Sequence, residues 1–134
     1  MIVGERIVEI SGNRVAREPV KGLSINIALD DVKADGENIE ITYVYTASYQ
    51  DKVGEIKIKG VLMAKEDEKR KKDILSQWKK DKKIPEDYAT TVLSAVNYSG
   101  SANGTLIARV LGLTAPLIPP RIQLSKDSKE ALSK

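Results

Sequence analysis

Between Leu23 and Ala64 apolar and polar residues alternate with a period of two, which places each set on one face of a β-strand. Leu23, Ile25, Ile27 and Leu29 form the first set. Ile39, Ile41, Tyr43, Tyr45, Ala47 and Tyr49 form the second, opposite Glu40, Thr42, Thr46 and Ser48, with Val44 as the exception. Ile56, Ile58, Leu62 and Ala64 form the third, against Glu55, Lys57 and Lys59. A shorter strand is expected at 5–10, running on toward Ala16 with a kink near Gly12-Asn13. Asp35-Gly36 and the run from Gln50 to Gly54 give short turns with a Gly available for positive φ. Four such strands read as an antiparallel meander with one apolar face to cover.

The second half supplies the cover. Residues 65–83 are almost wholly charged, with Ile74, Leu75 and Trp78 as a narrow apolar stripe, and predict a short surface helix over 65–84. Pro85 reads as a first-turn proline, followed by Glu86 and Asp87, which suit a helix N-terminus. From Tyr88 to Pro120 the only charge is Arg109. Within that span Gly100, Gly104, Ala108 and Gly112 recur every four residues, on one slowly drifting helical stripe. Gly inside a helix costs about 0.5–1 kcal/mol relative to Ala. The row therefore predicts close approach of another backbone along a continuous or barely broken helix, in preference to a loop at 99–104. A membrane span is the rejected alternative, because eight Ser, Thr and Asn residues and Arg109 interrupt the stretch. So much uncharged helix exceeds what one sheet can cover and argues for burial against other subunits. Pro116, Pro119 and Pro120 end the helix and force extended chain, leaving 125–134 as a tail.

Composition narrows the chemistry. The 134-residue chain has no Cys and no His, so thiolate nucleophiles, zinc–sulfur sites and imidazole bases are excluded. One α+β domain is expected at this length. Abundant Lys and Glu with only three Gln follow the thermophile trend. Residues 1–10 carry Glu5, Arg6 and Glu9 where a leader would be apolar, so a cytoplasmic location is the expectation. Asp30, Asp31, Asp35 and Glu37 fail the calcium-loop pattern at Lys33 and Thr42 and read as a polar hairpin end. Residues 100–104 are not a Gly-x-Ser-x-Gly elbow, and no phosphate loop or dinucleotide fingerprint occurs. The expected protein is not an enzyme and takes no cofactor.

Two surfaces remain. Residues 65–83 hold nine basic and five acidic residues, a net +4 in a chain of net +3. Lys69, Arg70, Lys72, Lys79, Lys80 and Lys83 form a basic face, and Trp78 offers a ring for stacking on a base. The interleaved acids favour a solvated face, with pairs such as Glu68–Lys72. Tyr43, Tyr45 and Tyr49 form an aromatic row, read first as sheet core and second as the lining of a groove for extended peptide.

Four strands, a long helix and a proline-broken exit resemble the bacterial protein-export chaperone SecB and its relatives. The stretch Val44-Tyr45-Thr46-Ala47-Ser48 is similar to a family strand closing in Thr-Ala-Ser. Residues 106–111 and Ala115-Pro116-Leu117 are similar to the family's long helix and exit loop. The likeness spans about Val20 to Leu124. It implies a SecB-like fold, a homo-oligomer (dimer or tetramer) and the holding of unfolded or nascent polypeptides in apolar grooves without nucleotide. Val20, Leu23, Leu117, Ile118, Ile122 and Leu124 would border such a groove, with Tyr43, Tyr45 and Tyr49 as further client contacts. Gly100, Gly104, Ala108 and Gly112 would serve helix packing between subunits. The alternatives are a nucleic-acid module using the Lys-rich helix, or a structural oligomerisation subunit.

Overall fold

The computed structural model describes residues 1–117. Four strands are followed by two helices: β1 (Ile2–Arg14), β2 (Leu23–Asp35), β3 (Asn38–Tyr49), β4 (Gly54–Lys65), α1 (Glu68–Asp81) and α2 (Glu86–Leu111). The α+β class is as expected: one antiparallel four-stranded sheet with both helices after it. The meander needs one correction. The strand order is β1-β4-β3-β2, so only β2 to β4 are a meander. β1 crosses the sheet end through residues 15–22 and pairs with β4, from Ile2 opposite Ala64 to Arg14 opposite Gly54. It is also longer than expected, and bulges after Ile2 and after Ile7 reset its register.

Register makes the apolar face continuous. Ile39 faces Ala64, Ile41 faces Leu62, Tyr45 faces Ile58 and Ala47 faces Ile56 across β3 and β4. Each of these is at most 2% exposed. Tyr43 lies opposite Gly60, where a Cβ would sit 2.5 Å from the tyrosine oxygen, so the missing side chain makes room for the ring.

The two helices cover this face in different ways. α1 begins at Asp67, whose Oδ1 accepts the Arg70 N–H at 2.7 Å, and ends at Lys82 in the left-handed region. It buries Ile74 and Trp78. α2 is unbroken through 99–104, as expected. Its buried stripe is Tyr88, Val92, Val96, Gly100, Gly104 and Ala108, four residues apart throughout. The stripe tapers from large to small, and at Gly100 the helix lies directly on the Tyr45 ring. Gly112, at φ 69°, caps the helix with its N–H on the Ala108 and Arg109 carbonyls.

Candidate functional site

Three segments expected to border a groove meet at one end of the sheet. Leu23 pairs with Tyr49, and the Gln50 N–H donates to the Gly22 carbonyl at 2.8 Å. The Tyr49 hydroxyl donates to the Thr114 carbonyl and ties the exit segment to the same end. Residues 20–24, 48–50 and 113–117 thus lie together. Val20 and Leu23 are half-buried at the core margin, and Leu117 is exposed. Ile118, Ile122 and Leu124 lie outside the described residues. Gly22, Leu23, Ser24, Ser48 and Gln50 line an open hollow of about 270 Å³. A second hollow, about 340 Å³, lies among Asn13, Val15, Ser48, Tyr49, Lys52, Gly54 and Glu55.

The tyrosine row is core. Tyr43 and Tyr45 are 0% exposed and Tyr49 is 3% exposed, so none is open to a client while α2 is in place. The groove-lining role for these three is corrected on that ground. Burial pushes all three phenols above their ordinary range. For Tyr43, the hydrogen bond it donates to the Glu5 carboxylate adds to the effect.

The small-residue row is corrected too. A Cβ on Gly100 would collide with the Tyr45 ring, and one on Gly104 would lie 2.9 Å from Pro116 Cγ. The close approach is to a tyrosine ring and a proline of the same chain, not to the backbone of a second subunit. Ala108 is buried in the same stripe, and Gly112 serves as the helix cap.

What α2 turns outward is a second row of the same period: Tyr98, Ala102, Leu106 and Val110, all exposed. Val110 is 85% exposed and Tyr98 80%. β1, at the sheet edge, adds exposed Val3, Val8 and Ile10. Its outer backbone groups face no neighbouring strand among the described residues. Edge and apolar side chains together can take an extended polypeptide by strand addition.

Two polar clusters hold these elements, and neither was visible in the sequence. Glu5 on β1 accepts the Tyr43 hydroxyl at 2.7 Å and the Ser99 hydroxyl at 2.6 Å, joining the edge strand, the core and α2. Arg14 donates to the carbonyls of Ala16, Arg17, Glu18 and Gly112. It pins the crossover segment to the end of α2, where a cation also suits the helix dipole. The only sequence signal for Arg14 was a charge at the inferred end of a strand.

The basic face divides in two. Arg70 pairs with Asp87 at 2.7 Å and stacks 5.4 Å from the Tyr88 ring centre. That hydrogen bond and charge hold the Asp87 carboxyl below its ordinary range. Lys69, Lys72, Lys79, Lys80 and Lys83 are exposed. The expected Glu68–Lys72 pair is not among the ion pairs of the described residues. Trp78 is 6% exposed with Lys82 over its ring, so the stacking platform for a base is corrected as well. No helix among the described residues is long and apolar enough to cross a membrane.

No protein-family model matches the chain, and no curated protein matches it. A solved structure does. It is the Mycobacterium tuberculosis Rv1957 SecB-like chaperone in complex with a ChAD peptide from the Rv1956 HigA1 antitoxin. The likeness covers 89% of this chain and 85% of that one, with a TM-score of 0.63 at 12% sequence identity. The four-stranded antiparallel sheet followed by two helices and this match together assign the chain a SecB-like fold.

Proposed function

We propose that this chain is a chaperone subunit that holds non-native polypeptide on apolar surface, without nucleotide. One observation carries the reading: among the described residues β1 is an open sheet edge, and exposed Val3, Val8 and Ile10 lie along it. Sequence-tolerant binding needs both properties, because backbone pairing ignores side-chain identity and apolar contact ignores direction. That a structural neighbour of the same fold is seen with a peptide supports the reading. Val20, Leu23 and Leu117 are the groove-margin residues in this proposal, with Ile118, Ile122 and Leu124 continuing the exit segment. The row Tyr98, Leu106 and Val110 buries against a second copy, giving a dimer or tetramer in the cytoplasm.

The test is binding to a labelled, permanently unfolded polypeptide across a salt series, after the oligomeric mass is fixed by light scattering. Tight binding that survives high salt is expected, together with slower aggregation of an unfolded client. Absence of binding, or binding abolished by salt, would overturn the proposal.

A further inference from the structure

The outward face of α1 is a lysine stripe without side-chain hydrogen bonds or ion pairs among the described residues. Steps of three, four, three and one residues connect Lys69, Lys72, Ser76, Lys79 and Lys80, which places them on one face of the helix. All five are exposed. The buried Ile74 and Trp78 lie on the opposite face. Lys83 follows directly after the helix.

The other cations of this segment show what a structural role looks like here. Arg70 holds Asp87 and the Tyr88 ring, Lys71 donates to the Gly36 carbonyl on the β2–β3 turn at 2.5 Å, and Lys82 covers Trp78. By contrast, Lys69, Lys72, Lys79, Lys80 and Lys83 have no side-chain hydrogen bond or ion pair among the described residues. The helix dipole accounts for Lys79 and Lys80 in the last turn. It opposes Lys69 in the first turn and gives Lys72 no support. Lysines three and four apart repel one another as well. The stripe therefore gains nothing from hydrogen bonds or ion pairs among the described residues, while Asp67, Ile74, Trp78 and Arg70 fasten the helix that bears it.

We infer that this stripe is a docking surface for an acidic polypeptide segment, separate from the apolar surface proposed for unfolded clients. Charge complementarity sets the sign of the partner. The choice of polypeptide follows from the surroundings. The free cations are all lysines, with no arginine fork for bidentate phosphate contact, since Arg70 is engaged. The one nearby indole is buried, so bases have nothing to stack on. Exposed Glu68, Asp73, Asp81 and Glu86 flank the stripe. A uniformly charged phosphate backbone would run against these acids. A polypeptide can set carboxylates opposite the lysines and neutral residues opposite the acids.

The experiment uses the full chain and a fluorescein-labelled peptide of alternating Glu and Ser, titrated from low to high salt. Single-stranded RNA of similar length and vesicles containing anionic lipid are the comparison probes. Binding of the acidic peptide is expected, falling with salt and at least about tenfold weaker when Lys69, Lys72, Lys79 and Lys80 are all changed to Gln. The Lys→Arg set at the same positions should retain it. Circular dichroism checks that the Gln variant is folded, and the pairs Lys69→Gln/Lys72→Gln and Lys79→Gln/Lys80→Gln replace it if it is not. No binding at low salt, binding unaffected by the Gln changes, or tighter binding to RNA or vesicles would each overturn the inference. Binding of an uncharged unfolded client, measured on the same variants, should not change, which separates this inference from the chaperone proposal.

Discussion

The two helices of this domain follow in sequence and are built on opposite principles. α2 has no charge between Tyr88 and Ala108 and buries a six-residue stripe against the sheet. α1 is mostly charged and buries two residues. The difference shows in what surrounds each. Under α2, glycines and tyrosine rings interlock, and Glu5 and Arg14 tie its length to β1 and the crossover. Around α1, the attachments are a cap, two apolar side chains and a few long cations. α2 completes the core, whereas α1 is fastened to it and can present a surface of its own.

Raising the pH should break the comparison on the α2 side. The phenols of Tyr43, Tyr45, Tyr49 and Tyr88 all have raised values in the fold, so the folded state favours their neutral form. That stabilisation is complete below the unfolded value of about 10 and is lost as pH rises through the folded values. In a Tyr98→Phe variant, which leaves only the four buried rings, absorbance of ionised tyrosine and loss of helical circular dichroism should therefore rise together above about pH 10. Ionisation well before unfolding would show that these rings are accessible.

Gly100→Leu should cost at least about 3 kcal/mol, because the Tyr45 ring occupies the space the side chain needs. Chemical denaturation measures it. A near-neutral result would mean that α2 can lift from the sheet freely. Ile74→Ala should cost about 2–3 kcal/mol and act locally. In hydrogen exchange, amides of α1 should lose protection while those of α2 keep theirs; equal loss in both helices would refute the division drawn here. Tyr43→Phe should cost about 1 kcal/mol by taking one hydrogen bond from Glu5 while Ser99 keeps the other. Asp67→Ala, removing the α1 cap, should cost about 1 kcal/mol and sharpen the contrast by fraying α1 alone.

Much of this arrangement was legible because it is local. Alternation placed the apolar face of β2, β3 and β4, and the four-residue row placed one face of α2. Neighbouring strands joined by short turns follow from the same signals. The position of β1 did not follow, because pairing Ile2 with Ala64 leaves no periodic trace that separates it from pairing with β2. The partner of the glycine row was missed for a similar reason. A small residue announces that something comes close, and Tyr45, 55 positions earlier than Gly100, satisfies it as well as another helix does. The junctions at Arg14 and Glu5 leave no pattern in the sequence, since a hydrogen-bond junction is defined by where its partners fold to. The aromatic side chains that the sequence offered as a groove lining turned inward, since an apolar face of period two suits a core as well as a groove.

The Glu5–Ser99 hydrogen bond joins residues 94 positions apart. A chain made from its N-terminus must therefore complete all four strands before the helix that covers their apolar face exists. Contacts this distant in sequence form late and slowly. Until α2 emerges, the face bearing Ile39, Ile41, Tyr43 and Tyr45 stands bare. During its own synthesis this protein passes through a state with the same exposed apolar surface that it is proposed to recognise in others.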